Sequence, residues 1–289
     1  MSHHTVKTFV VGLLACGLTG CGTMKGHFVS EAASAGLATE TAPSPVVTES
    51  DLAPLPPAAQ RYLRYMGVLG RPRDWSFQLH GAGRFRLKPD DNAWFDVETW
   101  QYNTRLDVAR LFRMEGRMSG VFPIVARDTY TAGKGRMLGK LFDLVTVADG
   151  QGPEFDTGEL VTYLNDAVLF APTFLLGPET AWSPVDEHSF DVALTDHGRT
   201  VKARVLLDDQ GAVRDFVTSD RYLEDPDDPK HPLIRGEWHT PMEGWQRVDG
   251  RAIPTRGTGM WQLKSGPYTY AELTFGASDV TFNVPANHE

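Results

Sequence analysis

Cysteine is almost missing. The 289-residue chain has two, Cys16 and Cys21, both near the amino end. Thiols placed there cannot staple a domain of this length, so the fold must rest on an apolar core rather than on a disulfide framework. Blocks of Lys or Arg are also missing, and acids outnumber bases 37 to 28, a formal net charge of −9. Without clustered positive charge the chain is no candidate for nucleic acid, because phosphate binding requires it. Beyond the amino end no apolar run reaches the roughly 20 residues of a membrane-spanning helix.

The motifs of common enzyme classes are missing too. No G-x-S-x-G elbow occurs. Gly81-Ala82-Gly83 does not continue as a dinucleotide fingerprint. The segment from Gly133 to Lys140 has the wrong spacing for a phosphate-binding loop, and Leu141 stands where a hydroxyl residue belongs. No His pair has zinc-ligand spacing, and His80, His188 and His239 read as surface or hydrogen-bonded residues. The expectation is therefore no metal and no cofactor.

What is present begins at the amino terminus. Met1–Lys7 carries one Lys and no acid, and a short apolar run follows from Phe9 to Leu18. That is the length of a signal-peptide core rather than of a span. The run ends in Leu18-Thr19-Gly20-Cys21, which resembles the bacterial lipobox. In that pattern small residues fit the peptidase and the following thiol receives diacylglycerol. Leu13-Leu14-Ala15-Cys16 fits less well, because a Leu lies two residues before its Cys. The expectation is a lipoprotein signal over residues 1–20, cleavage before Cys21, and membrane attachment through acyl chains on Cys21. More than one chain suffices for stable anchoring, at about 0.8 kcal/mol per buried CH₂. Gly22, in place of the Asp that marks inner-membrane retention, favours the outer membrane, facing the periplasm. Residues 22–52 are rich in Ala, Ser, Thr, Glu and Pro with one aromatic, Phe28. Such a stretch reads as a flexible tether, leaving a single domain over residues 53–289.

The domain is mostly strand by its periodicity. Pro56-Pro57 opens a short helix with Leu55, Ala59, Tyr62 and Met66 on one face, closed by Gly67 and Gly70. Trp75, Phe77, Leu79, Phe85 and Leu87 then alternate with polar residues, a long strand that Gly81 and Gly83 can bend. Further strands are expected over 93–103, 109–118 and 124–132, with Asp90-Asp91-Asn92 and Gly133 at turns, and around Leu144–Val147. Asp156 and Glu159 have capping-box spacing ahead of a second helix through Leu160, Leu164, Ala167, Val168 and Ala171, ended by Pro172. After it come hairpins turning at Asp196-His197-Gly198 and Asp208–Gly211, then strands through residue 284. Crossover helices are missing, so the sheet must be antiparallel. The expected fold is mainly β (α+β), a curved antiparallel sheet or half-barrel of about ten strands with two or three covering helices.

Two acidic clusters are candidates for chemistry. The run from Asp220 to Asp228 fails as a calcium loop, since Lys230 takes the central Gly position and Pro229 a ligand position; it reads as a solvated loop. The other cluster is Asp149, Glu154, Asp156 and Glu159, in which Asp149 and Glu159 could be paired carboxylates if burial split their pKa values. A capping role at a helix start explains Asp156 and Glu159 more simply.

Several blocks together resemble a bacterial family of unknown function. They are Leu55-Pro56-Pro57 with Gln60–Tyr65, Gly135–Leu141, Leu144–Asp149, Gly158–Leu164 and Ile253–Gly257, in that order, and the resemblance covers about residues 52–275. It implies no activity and no catalytic residues. In architecture the pattern is similar to the lipoprotein-carrier (Lol-type) half-barrels of the bacterial envelope, although fold does not fix function.

Three functions follow as expectations. The first is an envelope lipoprotein holding a lipid, an acyl chain or another hydrophobic small molecule in the half-barrel, lined by Trp75, Phe77, Phe85, Trp100, Tyr102, Phe112, Met114, Tyr130 and Met137. The second is an interaction lipoprotein docking an unidentified protein partner through a strand edge or apolar patch. The third is a hydrolase built on Asp149 and Glu159.

Overall fold

The computed structural model describes residues 32–33, 36–89, 92–226 and 228–286. Cys16, Cys21, the signal segment and the Asp90-Asp91 turn lie outside the described residues. The helices α1 (Glu49–Leu52), α2 (Pro57–Met66) and α3 (Pro153–Phe170) accompany the strands. The first half of the domain is a meander of β1 (Ser76–Phe85), β2 (Phe95–Thr104), β3 (Ala109–Met118), β4 (Phe122–Thr131), β5 (Lys134–Leu141) and β6 (Val145–Gln151). A second meander follows α3: β7 (Thr180–Asp186), β8 (Ser189–Asp196), β9 (Arg199–Leu207), β10 (Val213–Glu224) and β11 (Leu233–His239). The chain closes with β12 (Met242–Glu243), β13 (Gln246–Val248), β14 (Arg251–Ile253), β15 (Arg256–Leu263), β16 (Gly266–Thr274) and β17 (Val280–Phe282).

Among the described residues, one antiparallel sheet of 15 strands runs β6-β5-β4-β3-β2-β1-β16-β15-β11-β10-β9-β8-β7, with β12 beside β15 and β17 beside β1. β13 and β14 form a separate hairpin. The two meanders meet where β1 pairs β16 through Ala82–Phe85 and β17 through Phe77–Leu79. The curved antiparallel sheet is as expected, but it holds more strands than about ten. β5 carries Gly135 and Gly139, and β7 carries Pro184, residues that sequence patterns assign to turns. β12 and β14 are too short to show a period.

Local rules explain the elements that position the rest. Pro57 starts α2, Gly67 ends it at φ +77°, and Ala59, Tyr62 and Met66 are buried as one face. His197 and Gly198, both at positive φ, turn β8 into β9. Val201, Ala203, Val205 and Leu207 are buried along β9 between exposed Lys202 and Arg204 and their neighbours.

The tether is shorter than the composition implies. Val46 bridges to Pro72, Val47 N–H donates to Arg71 O at 2.8 Å, and Val47 and Leu52 are buried in the main core. Asp51 accepts from Thr48 N–H at 2.8 Å and pairs with Arg73 at 2.9 Å. Two well-placed apolar side chains and these polar ties outweigh a composition that reads as disorder, so residues 46–52 pack on the domain although the composition assigns them to the tether.

α3 is the central element. Every residue from Gly158 to Phe170 is buried, because the concave sheet face embraces one side and α2 with the β7–β10 meander the other. The expected capping box is absent. Gly152 is the N-cap, Pro153 takes the first position, and Asp156 already lies inside the first turn. The Asp156 carboxylate accepts from Gly135 N–H at 2.8 Å, Lys134 Nζ at 3.2 Å and an Arg199 guanidinium nitrogen at 3.1 Å, tying the helix start to β5 and β9. A Cβ on Gly135 would sit 2.2 Å from the Phe155 carbonyl oxygen. Gly135→Ala should therefore force α3 off β5 and lower stability by roughly 1–3 kcal/mol, read as a lower urea midpoint with an unchanged slope.

Candidate functional site

α3 does not fill the bowl it crosses. The β7–β10 side is packed solid by Tyr62, Phe190, Val205, Phe216 and Leu164. On the other side a cavity of about 1150 Å³ lies between α3, the β1–β6 meander and β10, β11, β15 and β16. One lobe is apolar, with Phe85, Phe112, Met114, Met118, Ile124 and Leu141. Trp238, Trp261, Tyr268 and Tyr270 line the facing wall. At the mouth, Leu87, Met137 and Val147 are exposed.

Period two decides which expected lining residues reach this space. Phe85, Phe112, Met114 and Met137 do. Trp100 does not: Thr99 and Gln101 of the same strand point inward, so Trp100 is turned to the convex face, stacked on His80 at 5.2 Å with the Arg113 guanidinium 4.1 Å from its ring. Tyr102 shares that face and packs with Leu111 and Ala32. Trp75 is buried at the start of β1, its N–H donating to Asn283 Oδ1 at 2.9 Å. Phe77 is fully buried against Phe170, Phe174 and Phe282. Tyr130 is fully buried with its hydroxyl donating to Asp196 Oδ2 at 2.6 Å. Residue type alone marks these five as lining; strand parity and the filled half of the bowl exclude them from the cavity.

The two carboxylates expected to pair do not form a couple. Asp149 is on the exposed β6 edge, held by Arg136 through two hydrogen bonds of 2.9 Å and by Gln151 at 3.1 Å, contacts that lower its pKa. Glu159 is interior, where Arg110 donates to it at 3.0 Å. Asp220 is a strand residue, accepting from Lys202 N–H at 2.9 Å and paired with Arg235 at 3.3 Å. His239 lies between Asp215 at 2.7 Å and Glu237 at 3.1 Å. No three metal-ligating side chains converge among the described residues.

The sequence reading missed the polar end of the cavity. Arg110, Asp128, Asp166 and Arg221 all line it, with Glu159 immediately behind. Arg110 Nε donates to Asp166 Oδ2 at 2.7 Å, and the same oxygen accepts from Gln101 at 2.7 Å and Asn103 at 3.3 Å. That half of the cluster is saturated. Burial raises the Asp166 pKa against the pull of Arg110. Burial, reinforced by Asp128, pushes Glu159 up to about 8, although Arg110 and Arg221 oppose it. Asp128 is raised by burial as well. A signal did exist. Arg110 shares its strand face with Phe112 and Met114, and Asp128 shares its face with Ile124 and Ala126. A charge on an apolar strand face is the informative exception.

Arg221 arrives by a backbone irregularity. β10 presents Phe216 and Thr218 inward, then slips register between Thr218 and Arg221 against β11. Asp220 N–H donates to Thr218 Oγ1 at 3.0 Å, and Thr218 Oγ1 donates to Lys202 O at 2.6 Å, holding the bulge. The bulge re-aims Arg221 and Leu223 into the cavity. The guanidinium lies 4.1 Å from the Trp238 ring centroid.

Fold and site together define a curved antiparallel half-barrel strapped by one helix, with a large apolar cavity ending in a buried charge cluster. The chain belongs to a family of unknown function, DUF6544, whose model matches residues 45–273. Among solved structures, a LolA superfamily protein of Nitrosomonas europaea aligns over 82% of this chain and 94% of its own, at 14% identity and a TM-score of 0.40. No curated protein matches the chain.

The Glu159 shift has a definite sign. Between about pH 4.5 and 8 the folded chain holds a proton at Glu159 that the unfolded chain has released, so this group's contribution to stability falls as pH rises through that window. Asp128 and Asp166 shift in the same direction. Thermal melts of the native protein should show Tm dropping from pH 5 to pH 8. Glu159→Gln, which keeps an acceptor for Arg110, should flatten that slope; an unchanged slope would place Glu159 in the ordinary carboxylate range.

Proposed function

We propose that this protein holds a hydrophobic small molecule or lipid chain in the half-barrel cavity. The observation that carries the reading is the cavity itself, about 1150 Å³ beneath α3, walled by Phe112, Met114, Ile124, Leu141 and Trp261. Apolar clefts of this kind, with a few convergent polar groups, are the usual form of small-molecule sites. A domain that needed only a stable core would gain by filling such a space, since each missing buried methylene costs about 1 kcal/mol. Native mass spectrometry of the purified chain should show a co-purifying apolar molecule. Ala126→Phe, which projects a ring into the cavity from β4, should abolish that mass while keeping Tm within a few degrees. Repeated recovery of the native protein with no ligand and no affinity for added lipid would sink the reading.

The amino-terminal pattern supplies the location. In this reading Cys21 is acylated, the chain is attached to the bacterial envelope, and the cavity works next to a source of lipid. Cys21→Ala should move the protein from the membrane fraction to the soluble fraction. Continued membrane attachment of that variant would refute the anchor.

One observation favours a second reading, docking of a protein partner. The β4–β6 end exposes Val121, Phe122, Phe142, Leu144 and Val145, with Leu144 at 80%, and β6 is an edge strand. This patch adjoins Leu141 at the cavity lobe, so a partner seated there would also meet a ligand entering or leaving.

A further inference from the structure

The polar end of the cavity is unbalanced in a specific way. Arg110 is tied by Nη1 to Glu159 and by Nε to Asp166. Arg221 is drawn electrostatically to Asp128, Glu159 and Asp166 and stacks on Trp238 and Trp261, but none of its N–H groups has a hydrogen-bond acceptor among the described residues. Asp128 is the complementary case. Its Oδ1 is sealed from solvent and lacks a hydrogen-bond partner. Both residues line the same cavity, from β4 and β10 on either side of α3. Their charges act on each other. An unused guanidinium and an unused carboxylate oxygen in one low-dielectric space are both costly unless a third group completes them.

We propose that the cavity is built for an amphiphile with a single carboxyl head, a long-chain carboxylic acid, whose head accepts hydrogen bonds from Arg221 and shares one proton with the Asp128 carboxyl at the cavity wall while its tail lies along Phe112, Met114, Ile124 and Leu141. The inference rests on the cavity reading above and adds the head group. The cavity wall offers one guanidinium and one carboxyl group that lack hydrogen-bond partners among the described residues. A carboxyl group is planar and matches the guanidinium fork, and its single acidic proton is the one donor Asp128 lacks. A doubly charged phosphate monoester has no such proton to spare when fully ionised, and it would bring two charges towards Asp128 and Asp166. An alcohol satisfies Asp128 but offers Arg221 only a neutral acceptor. The bulge that turns Arg221 inward is then a binding device rather than an accident of strand pairing.

The test uses the full chain carrying Cys21→Ala, prepared without detergent, titrated with palmitic acid, hexadecanol and methyl palmitate. Palmitic acid should bind roughly ten- to a hundredfold more tightly than either uncharged analogue, the scale of a charge-assisted hydrogen bond. Arg221→Met, whose stem can still lie on Trp238, should erase that preference while leaving hexadecanol binding unchanged; Arg221→Lys should retain part of it. Equal binding of all three probes, or a preference that survives in Arg221→Met, overturns the head-group inference and leaves the cavity reading standing. Failure of all three to bind overturns both.

Discussion

The structure depends on burying a helix that carries charge. α3 brings Asp156, Glu159, Thr162, Asn165 and Asp166 into the interior, and each must find a partner there. Removing an ion from water costs several kcal/mol even after relaxation, so an unpartnered carboxylate at any of these places would eject the helix. The partners come from widely separated strands: Gly135 on β5, Arg199 on β9, Arg110 and Gln101 on β3 and β2, Thr240 after β11. Satisfying them simultaneously requires the sheet to wrap around the helix. Curvature and the strap are thus one constraint, and a flat sheet could supply only some of these contacts.

That constraint also explains why the bowl is filled on one side and open on the other. Towards β7–β10 the helix presents Leu160, Leu164 and Val168, which pack with Phe190, Val205 and Phe216 without polar obligations. Towards β2–β4 it presents Glu159 and Asp166, whose ties to Arg110 set a polar layer between helix and sheet. Apolar side chains cannot close over that layer without stranding it. The aromatic and aliphatic lining beyond it, from Phe85 to Leu141, is left facing space.

Much of the fold was legible because it follows local rules. Period two along Trp75–Leu87 and Val201–Leu207, the His197-Gly198 turn, and the Pro57 and Gly67 ends of α2 each need only a few neighbouring residues to be read. What was illegible depended on distant residues. The Asp156–Glu159 spacing looks like a cap until Gly135 and Arg110 are seen to hold the two carboxylates. Val47 and Leu52 look like parts of a tether until the core that receives them exists. In the cavity, aromatic identity was a poorer guide than strand parity: Trp100 is a larger hydrophobe than Ala126, yet only Ala126 faces the cavity. The charge cluster draws Arg110, Asp128, Asp166 and Arg221 from four elements, with no spacing between them that any local pattern could carry.

Arg221 shows why the last of these is hardest. Its inward aim depends on a bulge, and the bulge depends on a hydroxyl and a carboxylate, Thr218 and Asp220, that share the parity of buried Phe216 on an alternating strand. Strict alternation through β10 would keep Thr218 and Asp220 on Arg221's opposite face. It would leave Arg110 alone to face Asp128, Glu159 and Asp166. A slip in register, which weakens pairing locally, is what adds a second guanidinium, one without a hydrogen-bond acceptor among the described residues, to a layer that already holds three carboxyl groups. The stability given up in the β10–β11 ladder and the polar character of the cavity are two results of the same backbone feature.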